Sequence, residues 1–239
     1  MEEKPKITKG DVGHALAKGI IGGIPIPLGA SVASEIFNLV IAPPLTKRRD
    51  EWIESIAEGL KKLEEKVGGF KMENLSQNEQ FITTVMQASQ AAIRNHQKEK
   101  LEALKNAVLN AALPSAPEEY LQLIFLNVAD TLTTWHMRIL KFFDNPEIYI
   151  KEANIKIPDW EEISPIGVFF HLYPRFQDQL PIFNLMIQDL ADIRELLSED
   201  KIRERMKKMA YLSISHTTNL GKQFIKFITS PIGEKEKSE

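Results

Sequence analysis

Cysteine is missing from all 239 residues. Its absence excludes disulfides, thiolate zinc sites and cysteine nucleophiles, and it fits a reducing cytoplasm. Histidine is scarce: the five are His14, His96, His136, His171 and His216. None sits in an H-E-x-x-H frame or another spacing that gathers a metal. Each reads as a surface residue or a hydrogen-bonded core residue. Phosphate-cradling loops are also wanting. Gly19-Ile-Ile-Gly-Gly fits neither the dinucleotide fingerprint nor the P-loop, and Gly221-Lys222 has no upstream glycine at the needed distance. There is no G-x-S-x-G elbow. Neighbouring acids such as Glu118/Glu119 and Glu161/Glu162 point about 100° apart on a helix, which suits caps better than an acid–base pair. No strong charge of one sign exists either. The net charge is −3 and the pI near 6.0, which argues against a chain-wide basic surface for nucleic acid. The sequence therefore points to no reaction and to no cofactor or metal.

What is present is ordinary globular material, 43% hydrophobic and 26% charged. One stretch departs from it. Between Lys18 and Lys47 the only charged residue is Glu35. As a helix, the uncharged run from Gly19 to Ser34 would span roughly 24 Å, short of the bilayer's hydrocarbon core of about 30 Å. Gly22, Gly23, Pro25, Pro27 and Gly29 oppose a continuous helix. Extension to Leu45 would bury Glu35 near the centre, at a cost of about 3 kcal/mol. A single-pass span is thus disfavoured, while an interfacial or wedge-like insertion is compatible. A signal peptide is disfavoured as well. Lys4, Lys6, Lys9 and Lys18 precede the run and Ala30-Ser31-Val32-Ala33 resembles a cleavage site, but Glu2, Glu3, Asp11 and the prolines do not fit.

Read in order, residues 1–45 form this Gly/Pro-rich leader, with a short Asp11-capped helix over 12–20 and a long helix from Ser31. Pro43 and Pro44 should kink the latter. Residues 46–144 read as an antiparallel helical bundle. Its first helix, 46–67, carries Trp52, Ile53, Ile56, Leu60, Leu63 and Val67 at helical spacing. Ser76 and Glu79 suggest a capping box for the second. A break at Asn95-His96-Gln97 precedes the third, which ends at Leu113-Pro114. Pro117 opens a helix expected to run unbroken to Phe143. Residues 145–163 read as a linker. Residues 164–230 read as a small winged-helix-like α+β module: a helix over 164–172, an Asp178-capped helix to Leu197, a strand over 209–215, and a last helix capped by Thr217 or Thr218. Residues 231–239 are a charged tail expected to be disordered. The fold class expected is mainly α, bundle first and winged module second.

Two groups of residues are candidate sites. In the polar cluster Arg94, Asn95, His96, Asn110, Asn127, Asp130 and His136, the first three lie where two helices meet, and the others, with Asn106, lie on or near apolar faces. Its members must satisfy one another if buried, either as a network fixing helix register or as a polar pocket. The leader residues Ile20, Ile21, Ile24, Ile26, Leu28 and Phe37 would meet a membrane or a protein partner. Nucleic acid is the weaker alternative. The helix at 179–197, placed as a reader, carries Asp189, Asp192, Arg194 and Glu195 and is net acidic, although Lys201, Arg203, Arg205, Lys207 and Lys208 follow it.

The stretches Phe81-Ile-Thr-Thr-Val-Met-Gln-Ala-Ser-Gln-Ala-Ala-Ile-Arg-Asn-His-Gln, Lys100-Leu-Glu-Ala-Leu-Lys-Asn-Ala-Val-Leu-Asn-Ala-Ala-Leu-Pro and Leu126-Asn-Val-Ala-Asp-Thr-Leu-Thr-Thr-Trp-His-Met-Arg-Ile-Leu resemble a family of uncharacterised bacterial proteins. That resemblance carries no catalytic residues across. The ending with Thr218, Leu220, Gly221 and Phe224 is more loosely similar to the Abi-alpha abortive-infection family, which implies phage defence. The reading that results is a non-enzymatic bacterial interaction protein, cytoplasmic or peripheral at the inner membrane. A DNA-associated regulator is the alternative.

Overall fold

A computed structural model describes residues 42–154, 162–204, 206–207 and 214–233. The expectations for Ile20, Ile21, Ile24, Ile26, Leu28 and Phe37, and for residues 209–213 of the strand expected over 209–215, lie outside these residues; Ile214 and Ser215 are described and are not strand. Contacts divide the chain into two units, Met1–Glu51 and Trp52–Glu239. Of the first, only residues 42–51 are described, and they are helical.

The described residues are mainly α-helical. Helix α1 is Ala42–Lys66. Pro43 and Pro44 stand next to Ala42 at the start of the described helix, where a missing amide proton is tolerated; the kink expected there turns on residues 31–41, which lie outside the described residues. Gly69, with φ +80°, turns the chain out of it. A 3₁₀ segment, Met72–Gln77, leads to α2, Glu79–Arg94. The cap of α2 is Asn78, whose side chain accepts from the Phe81 amide, and Ser76 lies inside the 3₁₀ segment. The expected Ser76/Glu79 box is therefore displaced by a better cap two residues on.

Helix α3, Lys98–Ala111, is the middle of the larger unit and packs on α2, on α4 and on α10. Here α4 is Glu119–Thr131 and α10 is Asn219–Phe227. Small residues let α3 be crowded: Ala103, Ala107 and Ala111 are buried together with Leu104, Val108 and Leu109. Across it, the Phe125 ring of α4 lies 5.6 Å from Phe224 and 5.7 Å from Phe227 of α10.

The expected single helix from Pro117 to Phe143 is two helices. After α4 the chain is extended at Leu132 and Thr133, then re-enters helix as α5, Thr134–Asp144. The hydroxyl of Thr133 supplies the reason. It makes a capping box with His136, a local bond that a continuous helix would forfeit. The expected linker likewise contains a helix, α6, Pro146–Glu152, with Asn145 as its cap and proline at its first position.

From residue 162 on, α7 (Pro165–Leu172) and α8 (Leu180–Gln188) bracket a 3₁₀ turn, Pro174–Phe176. Helix α8 has Pro181 in its first turn but no side-chain cap, so Asp178 is not its cap. It widens into a π-type turn, Asp189–Ile193, and stops short of the expected Leu197. Then come α9, Glu199–Arg203, and α10, capped by Thr218 as anticipated. Phe169 of α7 is the aromatic hub: Phe142, Phe143, Tyr173, Phe176 and Phe183 all have ring centroids 4.9–5.8 Å from it. Tilted and edge contacts at such distances each add about 0.5–1.5 kcal/mol beyond burial. Described strand is slight. Glu162–Ile163 (β1) pairs antiparallel with Met206–Lys207 (β2), and one further bridge joins Leu197 to Thr217. This does not show the winged α+β module.

Gly221 marks the tightest approach. A Cβ there would collide with the carbonyl oxygen of Leu196. Elsewhere in a helix, Gly to Ala gains up to about 1 kcal/mol. Gly221→Ala is expected to do the reverse and destabilise by about 1–3 kcal/mol, read as a lowered urea midpoint at unchanged slope.

Candidate functional site

The polar residues singled out in the sequence go to three places. At the first, Arg94 ends α2 and its Nη2 lies 2.6 Å from Asp130 Oδ2 near the end of α4. Asn95 donates to the Ala91 carbonyl at 2.7 Å, closing its own helix, and His96 stands exposed. Lys100 completes this corner. Only 6% exposed, it donates from Nζ to the Asp130 carbonyl oxygen at 2.5 Å. That carbonyl is one of the last of α4, which no intrahelical donor reaches, and a cation there also suits the negative end of the helix dipole. Burial lowers the Lys100 pKa, with Arg94 acting in the same direction and the Asp130 carboxylate opposing both.

At the second place, α3 terminates α10. The Asn110 side-chain amide donates to the carbonyls of Phe227 at 2.9 Å and Thr229 at 2.8 Å. Asn106 donates to that of Ile228 at 3.3 Å. Again the acceptors are carbonyls at the end of a helix. Asn110 is therefore separated from Arg94 and Asp130, and the cluster is not one pocket.

The third place is His136. Thr133 donates its backbone N–H to Nδ1 at 3.3 Å, and its hydroxyl lies 2.7 Å from the same atom. This assigns the ring proton to Nε2, which faces Asp189 Oδ2 at 3.4 Å. Asp189 also accepts from Arg194 Nε at 3.4 Å. Burial lowers the His136 pKa; Asp189 opposes this, while Arg194 and Lys100 reinforce it. The ring is neutral near pH 7. A hydroxyl, an imidazole and a carboxylate stand in line here, as a nucleophile and its base would. The hydroxyl is committed elsewhere, however. Thr133 Oγ1 accepts from the His136 backbone N–H at 3.4 Å, so the contact is the cap of α5.

Arg194 borders a groove of about 420 Å³. Helix α4 contributes Ile124, Val128 and Asn127; the turn after α8 contributes Ile193 and Arg194; α10 contributes Leu220. Ile124 and Ile193 are largely exposed. Its size is that of a small-molecule cleft. Of the sequence candidates only Asn127 reaches it. Lys100 and Arg194, which the sequence reading did not single out for this cluster, hold its two corners together. Lys100 was detectable, because it precedes Ala103, Leu104 and Ala107 by three, four and seven residues, on one helix face. Arg194 gave no such signal, since the π-type turn breaks the period. Among the described residues no three His, Cys, Asp or Glu could hold a metal ion, and no helix is long and apolar enough to cross a membrane.

No family model, curated protein or solved structure matches this chain.

The lowered His136 pKa makes a testable statement about stability. The unfolded ring takes up a proton near pH 6.5, and the folded ring only at lower pH. Stability contributed by the neutral ring is thus present above pH 6.5 and lost on acidification towards the folded pKa. Urea unfolding between pH 7 and pH 5 should show wild type losing stability more steeply than His136→Gln. Parallel curves would contradict the assignment.

Proposed function

We propose that this chain is a non-enzymatic interaction protein whose helical body presents apolar surface to a membrane or a protein partner. Helix α8 carries the reading. Its 9 residues bear no charge. Phe183, Met186 and Ile187 are buried, yet Leu180, Ile182 and Leu185 are 44%, 55% and 64% exposed. Its outer side carries these three aliphatics with the uncharged amides Asn184 and Gln188, and such a surface left in water favours being covered. The uncharged stretch from Gly19 to Ser34 supplies a second element of the same character. A peripheral place at the inner face of a bacterial membrane suits both. The Abi-alpha likeness makes phage defence the biological setting of the proposal.

Flotation with zwitterionic and with anionic liposomes tests it. The full chain should float. Ile182→Glu with Leu185→Glu should cut the floated fraction about fivefold if α8 is the contact, and Ile24→Asp with Leu28→Asp should do so if the leader is. Failure to float at every composition removes the membrane and leaves a protein partner.

A second reading is a DNA-associated regulator using residues 164–230. In its favour are the antiparallel β1–β2 pair and the Thr218-capped helix, the parts a winged-helix module would reuse. Against it, α8 offers no charge for phosphate or base, and Arg203 is already engaged by Glu199 at 2.7 Å and Asn184 at 3.3 Å. A mobility-shift titration at low and high salt is expected to show no complex in either. A salt-sensitive shift would reverse the order of the two readings.

A further inference from the structure

The groove beside Arg194 has a wall of unusual construction. The wall begins in the π-type turn Asp189–Ile193 and continues through Glu195, a non-glycine residue at φ +53°. Such backbone persists only where its surroundings hold it, and π-type turns inside helices recur at functional sites. Here the holding groups are visible. The amides of Leu196 and Leu197 both donate to the Leu190 carbonyl, at 2.8 and 3.2 Å. The Thr218 hydroxyl donates to the Glu195 carbonyl at 2.5 Å, and Gly221 packs against Leu196 with no room for a side chain. The wall is therefore fixed before anything binds, which lowers the cost of binding.

Chemistry of the lining decides what fits. Ile124, Val128, Ile193 and Leu220 are branched aliphatics, and only Asn127 and Arg194 among the groove's lining residues are polar. Arg194 spends Nε on Asp189, while its two terminal nitrogens carry no hydrogen bond among the described residues. A largely buried guanidinium whose terminal nitrogens make no such bond can match a planar carboxylate in two parallel bonds. The charges around it set a limit. Asp189 already neutralises part of Arg194, and the acids Asp192 and Glu195 flank it in sequence, so a dianion such as a phosphate monoester is disfavoured against a monoanion. Asn127 adds a neutral donor at the same groove. We propose that the groove binds an aliphatic carboxylate, its chain against Ile124, Val128, Ile193 and Leu220 and its head on the terminal nitrogens of Arg194. This is a ligand site in its own right and does not depend on what covers α8.

Octanoate and 1-octanol, two probes of one chain length and different head, test the proposal on the full chain. Isoleucine methyl resonances report where each binds. Octanoate should shift the Ile124 and Ile193 methyls saturably and bind about tenfold tighter than the alcohol, the effect expected of one partly exposed charge-assisted pair. Arg194→Gln should bind both probes alike, at the strength of the alcohol. Equal affinities in wild type overturn the carboxylate site, as does a preference that survives Arg194→Gln. Shifts confined to Ile182, or no saturable shift, overturn the location. Should Arg194→Gln fail to fold, the wild-type methyl map and the two-probe comparison decide alone.

Discussion

Helix ends left inside a protein have carbonyls with nothing to bond, and this fold is arranged around that constraint. Helix α3 answers it twice. Lys100 meets the end of α4, and Asn106 with Asn110 meets the end of α10. Both neighbours can therefore stop against α3 rather than at the surface. A buried carbonyl without a donor costs about 1–3 kcal/mol, comparable with the whole margin that a few mutations remove. The same need explains why α3 carries a lysine and two asparagines among alanines and leucines. An apolar residue at any of those positions would pack, yet it would leave a helix unfinished.

The remaining polar pairs tie elements that apolar packing alone would leave free to slide. His136 links the start of α5 to the turn after α8 through Asp189. Asp144, at the end of α5, accepts from the Ser215 and Thr217 hydroxyls at 2.8 and 2.7 Å, and Phe143 accepts from the His216 amide. Both ends of one short helix are thus pinned to the segments that frame α10. The groove lies within this frame, and its rigid wall follows from the frame as much as from its own residues.

Much of this architecture was legible in the residues. The face bearing Trp52, Ile56 and Leu63 was legible from spacing, and so were the break at Asn95 and the Thr218 cap, because periodicity and caps are local signals. Arg94 and Asp130 were named together in one polar cluster, but, because the Arg94 side chain is 65% exposed, their pairing was not legible as a buried charge being met. The division at Thr133 was not, since a hydroxyl between two apolar runs is equally at home on a helix surface until its capping partner is known. Helix α6 was hidden by Tyr149 and Ile150, whose strand preference yields to the Asn145 cap and Pro146. Asn110 was placed with the wrong companions because its acceptors, in α10, lie more than a hundred positions away. No local pattern reports a contact of that range.

That last separation also bears on biosynthesis. A chain leaving the ribosome in order can assemble α2, α3 and α4 early, since they are near neighbours in sequence. The amide of Asn110 must wait until residue 227, 117 positions later, has emerged. Throughout that interval Phe125 of α4, destined for Phe224 and Phe227, lacks its cover. Nascent chains in that state are what chaperones hold, so α10 acts as the latch that ends this exposure.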